Sequence, residues 1–412
     1  MAMRIAGGRV VMASGARDAD VVVEDGVIAA LEPPSRSGEI DAAGCLVFPG
    51  GVDPHTHPLA DLAAASAAAA RGGTTSMVAF TAPRPGETPL QAFLRAQEET
   101  PAASIGIRLH ATISSPDRLD REQLGALADA GARSLKLYLA YPELGLLPSD
   151  RTLYETLRDA GRLGLLVLVH CESSGAIDAL VDEAIGEGRA DVRAFAWTRP
   201  SLVEEEGVSR VLSYARLAQA PVYLVHLTSA RSLALVREAR TLGQTVRAEA
   251  CTHHLLLDDT CYERPDAAGY VVVPPLRPRA HVEALWQAIA DGTLDTVGSD
   301  HSQERYHPDV PPGDFRALPY GFSGVGMRVP LVLSEGARRG VPPERLADLL
   351  AGGPARIFGL APQKGAIAVG ADADLVVWDP RARDTVAGGP PFGGLELHGA
   401  IRHVLVGGAA II

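Results

Sequence analysis

The chain has 412 residues, which at roughly 150 residues per domain allows two or three domains or one large barrel with an appendage. Hydrophobic residues make up 47% and charged ones 21%, and 43 glycines with 30 prolines stay below the roughly 25–30% that marks low complexity, so global disorder is excluded. Acidic residues outnumber basic ones 50 to 38, a formal charge of -12, which argues against a nucleic-acid partner because a phosphate backbone requires a cationic face.

The first 50 residues break into short β-rich pieces: 4–12 (RIAGGRVVM), 18–31 (DADVVVEDGVIAAL) with an Asp-Gly turn at Asp25 and Gly26, and 44–50 (GCLVFPG). This is the pattern of hairpins rather than helices. The same texture returns at 370–380 (GADADLVVWDP) and 399–412 (GAIRHVLVGGAAII), so one small sheet domain assembled from both termini is expected.

Between them, eight short apolar strands are predicted at 47–57, 74–82, 104–114, 134–140, 165–172, 222–228, 245–253 and 296–302. They alternate with amphipathic stretches such as 150–164, 208–220, 229–243 and 279–292, whose apolar residues recur at three- and four-residue intervals and several of which end at Gly. Eight βα units in about 250 residues match a (β/α)8 barrel, whose chemistry sits at the C-terminal ends of its strands. A doubly wound sheet is the alternative, but no GxGxxG or Walker pattern follows the first strand.

The apolar runs terminate in His55 and His57, Lys136, His170, His226 and Asp300. On an extended segment two imidazoles two positions apart point the same way, so His55 and His57 can reach one ion. A lone histidine closing a Val/Leu strand is ordinarily a hydrogen-bonded core residue; His170 and His226 on nearby strands, with a pair already on the first, turn that reading toward a metal. Asp300 ends the eighth strand, adjacent to the first in a closed barrel. A hard oxygen joined to imidazoles suits zinc, with manganese, cobalt or iron as alternatives. Lys136 lies between Leu135 and Leu137 and faces the barrel interior if those two face the helices. A buried lysine has a lowered pKa, and its neutral amine can take up carbon dioxide as a carbamate, an anionic two-oxygen ligand.

These residues, with the segments DPHTH, SLKLYLAYPELG, LVHCES, EEEGVSR, VYLVHLTSA, EACTHHLLLDD, VVPPLR, DGTLDTVGSDHS and PARIFGLAPQKGAIAVGADADLVVWDP, resemble the cyclic amidohydrolases, particularly the hydantoinase and dihydropyrimidinase branch, over nearly the whole chain. The resemblance implies an α/β fold: a TIM barrel over 51–362 and a small β-sandwich domain from 1–50 plus 363–412. It implies two divalent metal ions, zinc suiting best, with His55, His57 and Asp300 on one, His170 and His226 on the other, and carbamylated Lys136 bridging them. The implied reaction is hydrolytic opening of a cyclic amide or imide ring by a hydroxide bridging the metals, with Asp300 as general base and Tyr141 donating to the developing oxyanion. Val273 and Tyr320 occupy positions that contact the cyclic amide largely through backbone groups.

Three departures reshape the substrate pocket. Dihydroorotases and many allantoinases resemble H-x-H-x-R, where this sequence has Leu59, which disfavours an acidic substrate. Val273 stands where Ser usually precedes Pro-Pro-Leu-Arg, and Tyr320 where a PNGG-like loop carries Asn. An allantoinase or dihydroorotase-like activity is the alternative within enzymes; a non-catalytic scaffold paralogue is the rival outside them, disfavoured because all six ligand positions are intact. The segment from 57 to 74 reads as short, and the C-terminus stops soon after the small domain, so a homo-oligomer, dimer or tetramer, with altered contacts is expected.

His110, His253, His254 and His301 read as supporting or packing residues, and His281 and His307 as surface or loop residues. Glu204, Glu205 and Glu206 read as a solvated helix start favoured by the dipole. The four cysteines, Cys45, Cys171, Cys251 and Cys261, are scattered without a CxxC pair, and neither an apolar leader nor a membrane span is legible, so a cytoplasmic protein without membrane contact is expected.

Overall fold

Alternating Val, Ile and Leu at both chain ends commit those segments to extended structure. In a computed structural model, which describes residues 3–35, 37–57, 61–114, 119–302 and 313–412, they join into one mixed sheet of eight strands. The N-terminal end contributes Met3–Met12, Gly15–Glu24, Val27–Glu32, Ile40–Asp41 and Leu46–Pro49; the C-terminal end contributes Leu375–Thr385, Glu396–Val406 and Ala409–Ala410. Leu46–Pro49 is the seam, parallel to the first strand and antiparallel to Leu375–Thr385. The turn at Asp25 and Gly26 has φ of 49° and 83°, the two positive values a type I′ hairpin requires.

The period of two then decides what each face covers. Leu375 and Val377 join Ile5, Val21, Ile28 and Leu405 in the sheet's own core. Val376 and Trp378, pointing the other way, enter the apolar cluster that also holds Leu135, Val167 and Val222 of the barrel.

The eight predicted barrel strands are all present: β1 (Gly51–His57), β2 (Thr74–Phe80), β3 (Gly106–Thr112), β4 (Ser134–Tyr138), β5 (Leu166–His170), β6 (Val222–Leu224), β7 (Val246–Cys251) and β8, which comes in two pieces, Thr296–Gly298 and His301–Ser302. Every neighbour is parallel. The first piece of β8 pairs with β7 and the second with β1, so the interruption at Ser299 and Asp300 falls where the sheet closes on itself. Thus the chain adopts the expected α/β architecture, a (β/α)8 barrel with a sheet drawn from both termini.

The predicted helical stretches form Asp150–Arg162, Ser201–Ala218, Ala230–Thr241 and Arg279–Ala290. Each buries one stripe; in Ser201–Ala218 it is Val208, Val211, Leu212 and Ala215. Among the described residues no helix is long and apolar enough to cross a membrane, and all four cysteines are free.

The acidic run departs from expectation. Glu206 is exposed and pairs with Arg210 one turn on, but Glu204 is buried and accepts from the backbone N–H groups of Thr228 and Ser229, 3.1 and 2.9 Å away, and from the Thr228 hydroxyl. It is no solvated residue, because the loop after β6 presents unpaired donors that only a buried carboxylate satisfies.

Candidate active site

Strand alternation aims the polar residues inward. On β4, Leu135 and Leu137 pack against the helices, so Lys136 between them faces the barrel interior and is fully buried. His55 and His57 leave the end of β1 on one side, and His170 ends β5. His226 and Asp300 lie just past β6 and inside the β8 break. Five non-glycine residues among those described have positive φ; Asp25 and Gln219 are a turn and a helix cap, and the other three are Tyr141 (63°), His226 (37°) and Asp300 (50°). Such backbone costs about 1–3 kcal/mol each and concentrates where side chains must be aimed.

All nine predicted site residues line one cavity of about 150 Å³: His55, His57, Lys136, His170, His226, Asp300, Tyr141, Val273 and Tyr320. Asp300 Oδ1 stands 3.0 Å from His55 Nε2 and 3.4 Å from His57 Nε2, which are 3.3 Å from each other. His55 Nδ1 lies 2.6 Å from Glu249 Oε1, a partner that can only accept, so this nitrogen carries a proton and Nε2 is the atom turned toward His57 and Asp300. On the far side, His170 Nε2 donates to Glu172 at 2.9 Å, which leaves Nδ1 facing His226 Nε2 at 2.9 Å. Each group brings ring nitrogens, and on one side a carboxylate oxygen, within 3.4 Å of one another through hydrogen bonds, and exchange of the shared protons for a divalent metal on each side fits this donor set.

Lys136 lines the same cavity as both groups. Its Nζ has no hydrogen-bond partner, only the rings of Tyr138 and Phe80, with centroids 4.7 and 5.0 Å away. Burial pulls its pKa down to about 8, so a substantial fraction is neutral amine near physiological pH. A buried nitrogen without a partner, facing two metal-ready donor groups, fits a carbamate far better than a bare ammonium.

The remaining titrations follow from the same packing. Burial drives His226 well below its usual range and lowers His170. Burial also opposes protonation of His55, but Asp300 and Glu249 outweigh it and raise that group to about 9, so near neutral pH Nε2 holds a proton shared with Asp300 that a dication would displace. Burial works against ionisation of Asp300 too, yet contact with His55 and His57 holds it well below the carboxylate range, so it stays ionised. Burial raises Tyr141 well above 10, which keeps its hydroxyl a donor; its ring is 5.5 Å from that of His170.

Two carboxylates in the site escaped the sequence reading. Glu249, on β7, also accepts from the Tyr223 hydroxyl at 2.7 Å and from His226 N–H at 3.1 Å; Glu172 also meets Arg199 at 3.3 Å. Both lie within the EAC and HCE segments, and their spacing of two from an inward-facing neighbour is the signal that locates them. His110 proves a satisfied core residue, bonded to Ser134 and the Pro54 carbonyl. His301 is buried and accepts from Gly324 N–H, and His281 is half-buried and accepts from Ala230 N–H. Leu59 and His307 lie outside the described residues.

Comparison with known proteins agrees in scope with this geometry. The profile of the amidohydrolase family matches residues 46–411. A D-hydantoinase of Ralstonia pickettii is 39% identical over 397 residues, covering 92% of this chain and 86% of its own. A D-hydantoinase of Geobacillus stearothermophilus is 35% identical over 440 residues, covering 100% and 93%. The crystal structure of a dihydropyrimidinase from Brevibacillus agri superposes with a TM-score of 0.93 at 35% identity, covering 100% of this chain and 95% of that one.

Proposed function

The chain belongs to the amidohydrolase family, and from that premise we propose that it is a metal-dependent cyclic amidohydrolase that opens a hydantoin- or dihydropyrimidine-like ring to an N-carbamoyl amino acid. The observation that carries this reading is the convergence of four imidazoles, the Asp300 carboxylate and the unpartnered Lys136 amine on one cavity. His55, His57 and Asp300 would hold one dication, zinc being best suited to the donors, and His170 and His226 would hold the second, with Lys136 as a carbamate supplying anionic oxygen donors. When bound, such a pair makes water acidic enough to attack near neutral pH and polarises the ring carbonyl.

The chain's own residues supply orientation and proton transfer. Glu249 and Glu172 fix the tautomers of His55 and His170, so their lone pairs face the cavity. Asp300, kept ionised, accepts the proton of the attacking water and delivers it to the ring nitrogen as the C–N bond breaks. The Tyr141 hydroxyl donates to the carbonyl oxygen as charge accumulates there. Val273 and Tyr320 border the cyclic amide, and a neutral ring of this kind needs no basic surface to attract it, which accords with the charge of -12. Residues 51–362 form the catalytic unit and 1–50 with 363–412 the accessory one. The free cysteines support a reducing, cytoplasmic setting, and the chain works as a homo-oligomer.

Initial rates on hydantoin, dihydrouracil, allantoin and dihydroorotate test the assignment. Hydantoin or dihydrouracil should be turned over fastest by the zinc-loaded enzyme; preferential turnover of dihydroorotate or allantoin would overturn it.

A further inference from the structure

Immediately beyond β7 the chain buries a second cluster of metal-ligating side chains that the ring-opening chemistry does not use. Cys251, His253 and His254 are each at most 2% exposed, and one ligand atom from each lies within 4.8 Å of the other two. Among the described residues neither ring nitrogen of His253 has a hydrogen-bond partner, and burial holds its pKa well below the usual range, so it is a neutral imidazole with a donor and an acceptor left over there. Two unmade hydrogen bonds in one buried ring are costly, and an ion is one of the few ways to recover them.

His254 shows the orientation of a ligand. Its Nε2 lies 2.9 Å from the Pro274 carbonyl, which can only accept, so Nε2 carries the proton and Nδ1 is a bare lone pair without a partner. A ring that donates one N–H to a backbone carbonyl while offering its other nitrogen is how metal-bound imidazoles are held. Cys251 also comes within reach of His55 and Glu249, but His55 Nδ1 and Glu249 already share a proton at 2.6 Å. The histidines free to join the sulfur are His253 and His254.

We propose that Cys251, His253 and His254 form a third metal site, closed to solvent, that takes a zinc-class dication through one thiolate and two neutral imidazoles. Sulfur and nitrogen donors select zinc or cobalt over magnesium or calcium, and three protein donors leave a fourth position for water. Binding breaks the Cys251 S–H bond, forms a metal–sulfur bond and releases one proton to solvent; nothing is oxidised or reduced. The ion ties the short helix Thr252–Leu256 to the segment held by His254 through Pro274, next to Val273 in the wall of the catalytic cavity. This site does not depend on the ring-opening reading, because none of its ligands belongs to the catalytic set.

The test uses the full-length protein, stripped of metal and reloaded with zinc or with cobalt. The wild type should retain one more equivalent of zinc per chain than Cys251→Ser and His253→Gln, with circular dichroism confirming that both variants are folded. The cobalt-loaded wild type should show a thiolate-to-cobalt charge-transfer band in the near ultraviolet that Cys251→Ser lacks. The six catalytic donors contain no sulfur, and loss of the band in His253→Gln as well as in Cys251→Ser distinguishes this site from Cys251 reaching an ion beside His55, whatever the assignment of the catalytic pair. A fully cobalt-loaded wild type without the band would overturn the proposal without recourse to variants. Equal zinc content in wild type and folded variants would overturn it as well.

Discussion

Lys136 illustrates how a single residue's environment sets its chemistry. An ammonium without a partner in a barrel interior is costly, and desolvation, the largest influence on it, lowers its pKa to about 8 despite the pull of Asp300 and Glu249. Below that value the group is a cation and inert toward carbon dioxide; above it the amine is a nucleophile. Reconstitution of metal-free enzyme at a fixed concentration of dissolved carbon dioxide should therefore speed up with pH. With the neutral fraction rising from about a tenth at pH 7 to about nine tenths at pH 9, the gain is roughly tenfold. Recovery of activity after adding zinc, with bicarbonate adjusted at each pH to hold dissolved carbon dioxide constant, measures it, and a rate independent of pH across this range would mean that the amine is not the reacting form. Lys136 was legible in SLKLYLA because alternation allows one side for it once its leucine neighbours face the helices. Glu249 and Glu172 were not, because their spacing of two from an inward-facing neighbour gives only a side, and a carboxylate in or just past a strand looks the same in sequence whether it meets water or an imidazole.

Among the elements, the helix Ser201–Ala218 does more than cover the barrel. Gly207 lets it pass close to the end of β5, where a Cβ would come within 2.7 Å of the Cys171 backbone. One turn earlier, Glu204 caps the N–H groups of Thr228 and Ser229 in the loop that begins at His226. With Arg277 3.8 Å away and also buried, truncation leaves two backbone donors and a guanidinium short of their carboxylate. Glu204→Ala should cost about 3–5 kcal/mol, the range for breaking a buried charged network. The shift in urea midpoint reads it directly, and a loss under about 1 kcal/mol would restore the picture of a solvated helix start. The sequence reading placed this helix correctly and misjudged Glu204, since periodicity reports which stripe is apolar and says nothing of what a neighbouring loop brings against the other side.

At the scale of the whole molecule, the sheet from the termini and the barrel share buried side chains. Trp378 reaches from the sheet into the barrel-side cluster and is 1% exposed. Gly399, with φ of 122°, runs so close over the indole that a Cβ would sit 2.1 Å from its ring. Trp378→Ala should therefore destabilise the protein by about 3–5 kcal/mol, the cost of a large cavity in a packed core. The lesion is remote from the catalytic residues, so kcat per folded chain should be unchanged. Chemical denaturation with parallel kinetics separates the two effects; a drop in kcat at full folding would mean that the sheet also shapes the site.

By itself the sequence determined the order of strands and helices, the closure of eight βα units and the six polar positions at strand ends, because period-two and period-3.6 patterning are local properties of a chain. Only the tertiary structure decided which carboxylates orient His55 and His170, why Glu204 is buried, and that Cys251, His253 and His254 converge around an unpartnered ring. Those outcomes depend on how side chains are aimed and which loop packs over which strand: His55 meets Glu249 and Glu204 meets Thr228 across tens to hundreds of positions, and even for near neighbours such as His170 and Glu172 a period does not say which atoms meet.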